Sequence, residues 1–463
     1  MKTIDQLLKE IKRVHFIGIG GISMSGLAEI LLERGFTVSG SDWKESALTK
    51  HLEAQGALVN YGNPQKAENI TDDIDLVVYT AAVHEDNPEY METMRRQIPA
   101  MTRAQLLGQM MRNYEIPIAI SGTHGKTTTT SMVSEVLLKA DTDPTLSVGG
   151  ILKTIGGNIR IGHSGYFVTE ACEYTNSFLS FFPKIGIILN VEEDHMDFFK
   201  DIDDIRLSFH RFAGLIPDDG ALIINNTIEE IDTITKELTC QVVTYGPDNG
   251  SDYWPEEITY NEKGCASFIL CTGDGKRRKF SLGVPGEHNV YNAMAVIALS
   301  DLLALAPEAV SRGLSSFTGT DRRFEYKGTV NEITLIDDYA HHPTEITATL
   351  QAAKSYPHNS LWCVFQPHTF TRTKAFMKEF AQALSAADHI ILTEIYPARE
   401  TDNLGISSQT LQKEIEALGK TCYYFPTFEE IENFILKSCT PGDLLITMGA
   451  GDVVNIGENL LQK

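Results

Sequence analysis

Ile116-Pro117-Ile118-Ala119-Ile120-Ser121-Gly122-Thr123-His124-Gly125-Lys126-Thr127-Thr128-Thr129 is an apolar strand that opens directly onto two glycines, a lysine and a row of threonines. Glycines allow the backbone to curl so that successive N–H groups point inward, an anion nest at the start of a helix. Lys126 can then reach outer phosphates, and the Thr127 hydroxyl can ligate Mg²⁺. The usual spacing GxxxxGK[ST] would place the first glycine at 120, where this chain has Ile120; the first glycine is Gly122, so the loop is a variant. A strand, a phosphate loop and a helix in this order predict an α/β domain with a largely parallel sheet.

Upstream, Val14 to Ile17 reads as a strand running into Gly18-Ile19-Gly20-Gly21, followed by helical spacing from Met24 to Leu32 and a stop at Gly35. A second strand ends at Ser41-Asp42, and Asp75 to Tyr79 supplies another. This is a βαβ unit. Downstream, strands are expected at Tyr166 to Thr169 and Ile185 to Leu189, with more β between 220 and 283, then a helix from Val290 to Leu305. Beyond about 325, four buried strands (Ile333 to Ile336, Leu361 to Phe365, His389 to Thr393, Leu444 to Thr447) alternate with amphipathic helices such as Thr344 to Ala353 and Leu411 to Leu418. The expected fold is α/β in three domains: Rossmann-like over 1–112, a central P-loop ATPase-type domain with a mostly parallel sheet plus extra β over 113–324, and a second Rossmann-like domain over 325–463. A hinge is expected around 318–328.

Several side chains cluster at predicted strand ends. Glu170 ends its strand at the carboxyl edge of the sheet, where ligands gather. His195, in Asp194-His195-Met196-Asp197, follows the strand ending at Leu189-Asn190; a lone histidine among acids is either a metal ligand or a solvated cap. Asp337-Asp338-Tyr339-Ala340-His341-His342 carries two pairs, but neighbours on a strand point to opposite faces, so one member of each pair faces a given site. His368 and Arg372 follow Phe365 in the same way. In the first loop, Ser23 stands where a dinucleotide fingerprint wants Gly or Ala, and Asp42 is placed to hold a ribose hydroxyl. That loop suits any nucleotide diphosphate, or a structural turn.

Composition sets the limits. The chain has 463 residues, 42% of them hydrophobic and 22% charged, with a net charge of −23. A large nucleic-acid footprint is excluded by that charge, while a local anion site built from backbone amides is not. No apolar run approaches the ~20 residues of a membrane span, and the polar start MKTIDQLLKEIKR is no signal peptide. Seven scattered cysteines without CxxC fit a reduced, cytoplasmic protein rather than a disulfide or zinc scaffold.

Together these segments resemble the Mur ligase family over essentially the whole chain: FIGIGGISMSGLAEIL with GSD, SGTHGKTTT, TEACEYTNSFL, NVEEDHMD, GEHNVYNAMA, DRRFE, DDYAHHPTE and FQPHTFTRT, in order. Within the family the first-domain loop is most similar to the branch that adds L-alanine to UDP-N-acetylmuramate in peptidoglycan synthesis. The resemblance implies ATP-driven amide formation through an acyl phosphate, with Mg²⁺ (or Mn²⁺) as cofactor, no nucleic acid, no membrane insertion, and a monomer or weak homodimer. It implies that Gly122, Thr123, His124, Gly125, Lys126, Thr127 and Thr128 hold the ATP phosphates and that Asn289, Asn292, Arg322 and Arg323 hold the rest of the nucleotide. Thr127, Glu170 and His195 would bind metal. Gly18, Gly20, Gly21, Ser41 and Asp42 would bind the UDP-sugar. Tyr339, His341, His368 and Arg372 would line the amino-acid side, with Lys126, Glu170, His195, His341 and Arg372 as the catalytic set. Two departures stand out: Thr369 where many relatives carry Arg, and EACEY at 170–174 in place of a more acidic run, though Glu170 and Glu173 are retained. A recycling ligase that adds a whole peptide is the near rival. An NAD-dependent oxidoreductase is opposed by Ser23, and a non-catalytic nucleotide switch by the density of phosphate, acid and basic motifs.

Overall fold

The computed structural model describes residues 11–63, 65–80, 83–398 and 400–463; the polar start read above lies mostly outside them. Three sheets divide the described residues in chain order, so the protein is α/β in three domains.

The first sheet has five parallel strands, Arg13–Ile17, Thr37–Asp42, Leu58–Tyr61, Leu76–Tyr79 and Ala100–Thr102. Arg13–Ile17 lies between Thr37–Asp42 and Leu76–Tyr79. The winding reverses at that point and opens a crevice beyond the carboxyl ends of the strands. Helix Ile22–Glu33 leaves the glycine loop there and buries Met24, Leu27, Ala28, Ile30 and Leu31. It stops at Gly35, whose φ of +84° suits glycine.

The central sheet has ten strands. Ile116–Ser121 sits in its middle, parallel to Tyr166–Ala171 on one side and Ile185–Ile188 on the other. Ile118, Ala119 and Ile120 are fully buried, because a central parallel strand is covered on both faces and reads as an apolar run without alternation. On one face Met132, Val133 and Val136 of the helix Lys126–Lys139 and Val290, Met294 and Ile297 of the helix His288–Leu302 pack on Ile118 and Ile120. On the other, Phe178, Phe209 and Phe212 pack in a core that also takes Leu106 and Leu107 of helix Arg103–Met111, so the first domain is seated on the central sheet. The far end of the sheet is an antiparallel meander, Tyr253–Tyr260, Cys265–Thr272 and Arg277–Pro285.

The third sheet has six strands, five of them parallel: Ile333–Asp338, Leu444–Met448, Leu361–Phe365, His389–Leu392 and Cys422–Tyr424. The sixth, Glu325–Val330, pairs antiparallel at the edge. The four buried strands are those expected from sequence. The two edge strands escape the pattern because EYKGTV and CYY contain no long apolar run; the first carries Glu325 and Lys327, charges of the kind that keep an edge from pairing with other chains, and the second is only three residues long. Among the described residues no helix is long and apolar enough to cross a membrane.

Candidate functional site

The phosphate loop has the backbone its glycines call for. Gly122 and Gly125 have φ of +144° and +82°. A Cβ on Gly125 would lie 3.0 Å from Asn292 Oδ1, and one on Gly122 would lie 3.2 Å from the Asn190 nitrogen, so both positions are strained and crowded for a side chain. Asn190 fixes the loop from below: its side-chain oxygen accepts from the His124 N–H at 2.7 Å and its carbonyl from the Thr123 N–H at 3.1 Å. The Lys126 ammonium folds back onto the loop, donating to the Gly122 and Thr123 carbonyls at 2.5 and 3.1 Å and to Glu173 at 2.9 Å. Burial opposes its charge, but Glu173 outweighs burial and raises the ammonium above its ordinary value.

A cavity of about 430 Å³ adjoins this loop between the central and third domains. Gly125 and Thr128 line it, with Asn289, Asn292, Arg323 and Asp338. Asn292 donates to Asn289 at 3.0 Å, and Asn289 to the Pro285 carbonyl at 2.7 Å, so both amides are held in fixed orientation. Burial pushes the neighbouring His288 down to about 4, which keeps that wall of the cavity neutral.

The acids stand one strand away. Glu170 lies within Tyr166–Ala171, not at its end, because pairing with Ile116–Ser121 continues to Ala171. Its carboxylate accepts from the Gly149 N–H at 2.6 Å and the Thr127 hydroxyl at 3.2 Å. Burial nevertheless raises its pKa. Glu173, 2% exposed, joins Lys126 to His195, whose Nε2 is 3.8 Å away. The His195 ring stacks on Tyr174 at 4.4 Å, and its φ of +53° marks a strained loop of the kind found at functional sites. Burial lowers its pKa, against the pull of Asp194 and Glu173, so a nitrogen lone pair stays available.

The third domain faces this cluster across a cavity of about 270 Å³ lined by Tyr174, Asp194, His195, His368, Thr369 and Arg372. Arg372 crosses it to Asp194 at 2.8 Å; the two side chains are 10% and 8% exposed. Burial acts against the Asp194 charge, but Arg372 and His195 prevail and hold it below its ordinary value. Thr369, with φ of +65°, caps the helix Phe370–Ala375, so at this position the hydroxyl serves the backbone. The His341 ring lies 5.8 Å from that of His368.

Each adjacent pair splits between two faces. Asp337 turns to Arg322 and Thr447, while Asp338 lines the larger cavity and is pushed by burial up to about 6. Arg323 lines that cavity too. Arg322 does not: it donates to Asp337, to the Gly451 carbonyl and to the Gly449 carbonyl, so its guanidinium is spent inside the third domain. Tyr339 lies under both guanidinium groups, at 4.9 and 5.2 Å.

In the first domain the carbonyl of Ser41 accepts from Gly18 and Ile19, and Asp42 accepts from the Gly20 N–H at 2.8 Å. Asp42 therefore shapes the glycine loop itself. Ser41 is fully buried and donates inward to Glu89 at 2.5 Å, so its hydroxyl cannot meet a ligand in the crevice. Gly21 accepts from Ser25 as the helix begins.

Sequence patterns described as "Mur ligase family, catalytic domain", "Mur ligase middle domain" and "Mur ligase, glutamate ligase domain" match residues 13–115, 120–300 and 322–451. The chain belongs to the Mur ligase family. A UDP-N-acetylmuramate–L-alanine ligase of Agathobacter rectalis is 58% identical over 97% of this chain and 98% of its own, and that of Clostridium botulinum strain Langeland 50% over 98% and 99%. Among solved structures, the Thermotoga maritima UDP-N-acetylmuramate–alanine ligase matches with a TM-score of 0.82 at 31% identity, over 97% of this chain and 98% of that one. A murein peptide ligase of Psychrobacter arcticus matches at 0.73 and 27%, over the same shares.

Glu173, noted from sequence only as a retained acid, and three residues not singled out there, Asp194, Glu192 and Glu345, complete this Mur ligase's seam. Glu173 and Asp194 bind the candidate residues Lys126, His195 and Arg372. Glu192 and Glu345 flank His124: Nδ1 lies 3.2 Å from Glu345 Oε1 and Nε2 lies 3.5 Å from Glu192 Oε2. Burial alone would lower the His124 pKa, but the two carboxylates raise it to about 9. Glu345 also accepts from the His341 N–H at 3.0 Å. It thus ties the loop at His124 to His341 of the third domain.

Proposed function

We propose that this chain joins L-alanine to the carboxylate of UDP-N-acetylmuramate with consumption of ATP, giving UDP-N-acetylmuramoyl-L-alanine, ADP and phosphate in peptidoglycan synthesis. One observation carries the reading: Lys126, Thr127, Glu170, Glu173 and His195 of the central domain meet His368 and Arg372 of the third at a single seam. The relatives of 58% and 50% identity support the choice of substrates.

On this reading the muramate carboxylate attacks the γ-phosphorus of ATP, the bond to the β–γ bridging oxygen breaks, and ADP leaves. The amino group of L-alanine then adds to the carbonyl carbon of the acyl phosphate. It loses a proton, and the tetrahedral intermediate expels phosphate. Little covalent work falls to the protein, so positioning and charge stabilisation dominate. The loop amides of Gly122 to Thr128 and the Lys126 ammonium would hold the phosphates, and Asn289, Asn292 and Arg323 the remainder of the nucleotide. His341 would take the amine proton. Its Nδ1 is 3.1 Å from the Tyr339 carbonyl and 3.2 Å from Glu345 Oε2, which leaves Nε2 free as an acceptor. Arg372 would face the developing oxyanion. The glycine loop with Asp42 would take the UDP part.

The hydroxyl of Thr127 and the carboxylates of Glu170 and Glu173 are hard oxygen donors suited to Mg²⁺. His195 adds a nitrogen that Mn²⁺ also accepts. When bound, such an ion neutralises charge on the phosphate oxygens. The test is phosphate release from ATP with UDP-N-acetylmuramate and single amino acids or a tripeptide supplied in turn. Release that needs UDP-N-acetylmuramate and L-alanine together supports the reading; turnover with a tripeptide but not alanine overturns it.

A further inference from the structure

We propose a second metal site, for a zinc-like transition ion, formed by His124, Glu192 and His342 and separate from the Thr127–Glu170 cluster. Its occupation would clamp the third domain onto the phosphate loop and stop turnover.

The donor atoms of these three side chains lie within 4.8 Å of one another. Tetrahedral zinc with bonds of ~2.0–2.1 Å spaces its ligands roughly 3.4 Å apart, so a modest contraction closes the set. Two imidazoles and a carboxylate are a ligand combination zinc uses when a fourth position stays open, and imidazole nitrogen selects against Mg²⁺. The second observation is the setting of His124 Nε2: it is buried, makes no hydrogen bond and lies 3.5 Å from Glu192 Oε2 on a side chain 10% exposed, so an ion entering between them takes the place of the proton that the two carboxylates hold on this ring.

The surroundings orient that nitrogen. His124 Nδ1 lies 3.2 Å from Glu345 Oε1, and a carboxylate on the far ring nitrogen fixes the tautomer and orientation of a metal-binding histidine. The His342 ring packs against His124 with centroids 4.6 Å apart. His342 Nε2 donates to the Glu193 carbonyl at 3.2 Å, so the lone pair is on Nδ1, where it accepts only weakly from the Thr344 N–H at 3.4 Å, a bond cheap to exchange for a metal. His124 and Glu192 line the nucleotide cavity, and Glu192 and His342 line an adjoining cleft of about 560 Å³, so the site sits where the two openings meet.

The consequence follows from where the ligands sit. His124 belongs to the phosphate loop, Glu192 to the segment after Ile185–Ile188, and His342 caps the helix Pro343–Lys354 of the third domain. An ion on all three cross-links two domains whose separation releases products.

The full chain, stripped with chelator and held in saturating Mg²⁺ to occupy the oxygen-rich cluster, is titrated with zinc chloride by calorimetry, with Co²⁺ absorption as a second readout. We expect one tight zinc equivalent, weakened at least tenfold in Glu192→Gln and in His342→Asn but retained in Glu170→Gln, with circular dichroism confirming that each variant is folded. Zinc should inhibit the wild type at concentrations that track binding, and the inhibition of each variant, relative to its own zinc-free rate, should shift in parallel. Absence of binding to the wild type, loss only in Glu170→Gln, or binding without inhibition overturns the proposal. None of the binding measurements depends on which amino acid the enzyme uses.

Discussion

Replacing Glu345 by glutamine should open the seam without unfolding the protein. Its carboxylate lies against His124 at 3.2 Å and His341 Nδ1 at 3.2 Å, accepts the backbone N–H groups of His341 and His342 at 3.0 and 3.3 Å, and lies 3.9 Å from Arg323. Glutamine keeps one acceptor oxygen for the backbone, so the start of the helix Pro343–Lys354 should survive. What disappears is the negative charge facing His124. A hydrogen bond to a charged group contributes about 1.5–3 kcal/mol, and 1.4 kcal/mol is tenfold. Closure, and with it kcat/KM for ATP, should fall roughly 10- to 100-fold, while Tm moves by only a few degrees. The pH dependence gives a sharper readout. His124 has its pKa raised to about 9, so the interaction is complete below its ordinary value of 6.5 and is lost as pH rises through about 9. In Glu345→Gln the alkaline limb of kcat/KM should move to lower pH. A loss below threefold with an unmoved alkaline limb would refute the role of this contact.

Other perturbations probe the remaining parts. Lys126→Ala should lower phosphoryl transfer by about 10²–10³-fold with the far-ultraviolet circular dichroism unchanged; near-normal turnover would remove Lys126 from the phosphate site. Asp194→Asn leaves Arg372 buried without its counter-charge, a loss of about 3–5 kcal/mol for such pairs, and should raise KM for L-alanine more than KM for ATP in initial-rate measurements. Gly40→Ala would bring a Cβ to 2.7 Å from Ile19 and 2.9 Å from the Phe16 carbonyl; overpacking of about 1–3 kcal/mol should appear as a lower Tm and a raised KM for the UDP-sugar.

What could be read from sequence follows from locality. The strand, loop and helix over 116–139 were legible because the apolar run, the glycines and the threonines lie within one segment whose geometry they dictate. The alternation rule separated Asp337 from Asp338 correctly, since adjacent strand residues must face opposite ways. It gave no purchase on Arg322 and Arg323. They lie before a strand, and Arg322 has a φ of +60° that turns its side chain toward Gly449 and Gly451, more than 120 residues away. Glu345 lies in the first turn of a helix, where nothing local distinguishes it from any other acid, and its partner His124 is 221 residues distant. The family resemblance implied that Ser41 binds the UDP-sugar, yet its hydroxyl points inward to Glu89, 48 residues on. The elements were therefore accessible, while contacts across the seam required the fold.

The most direct measurement is phosphate release from ATP by the intact chain, with UDP-N-acetylmuramate and L-alanine present singly and together. The account predicts sustained release only when both are present, with a stoichiometric amide product. Sustained release that ignores L-alanine, or that requires a peptide in its place, would contradict it.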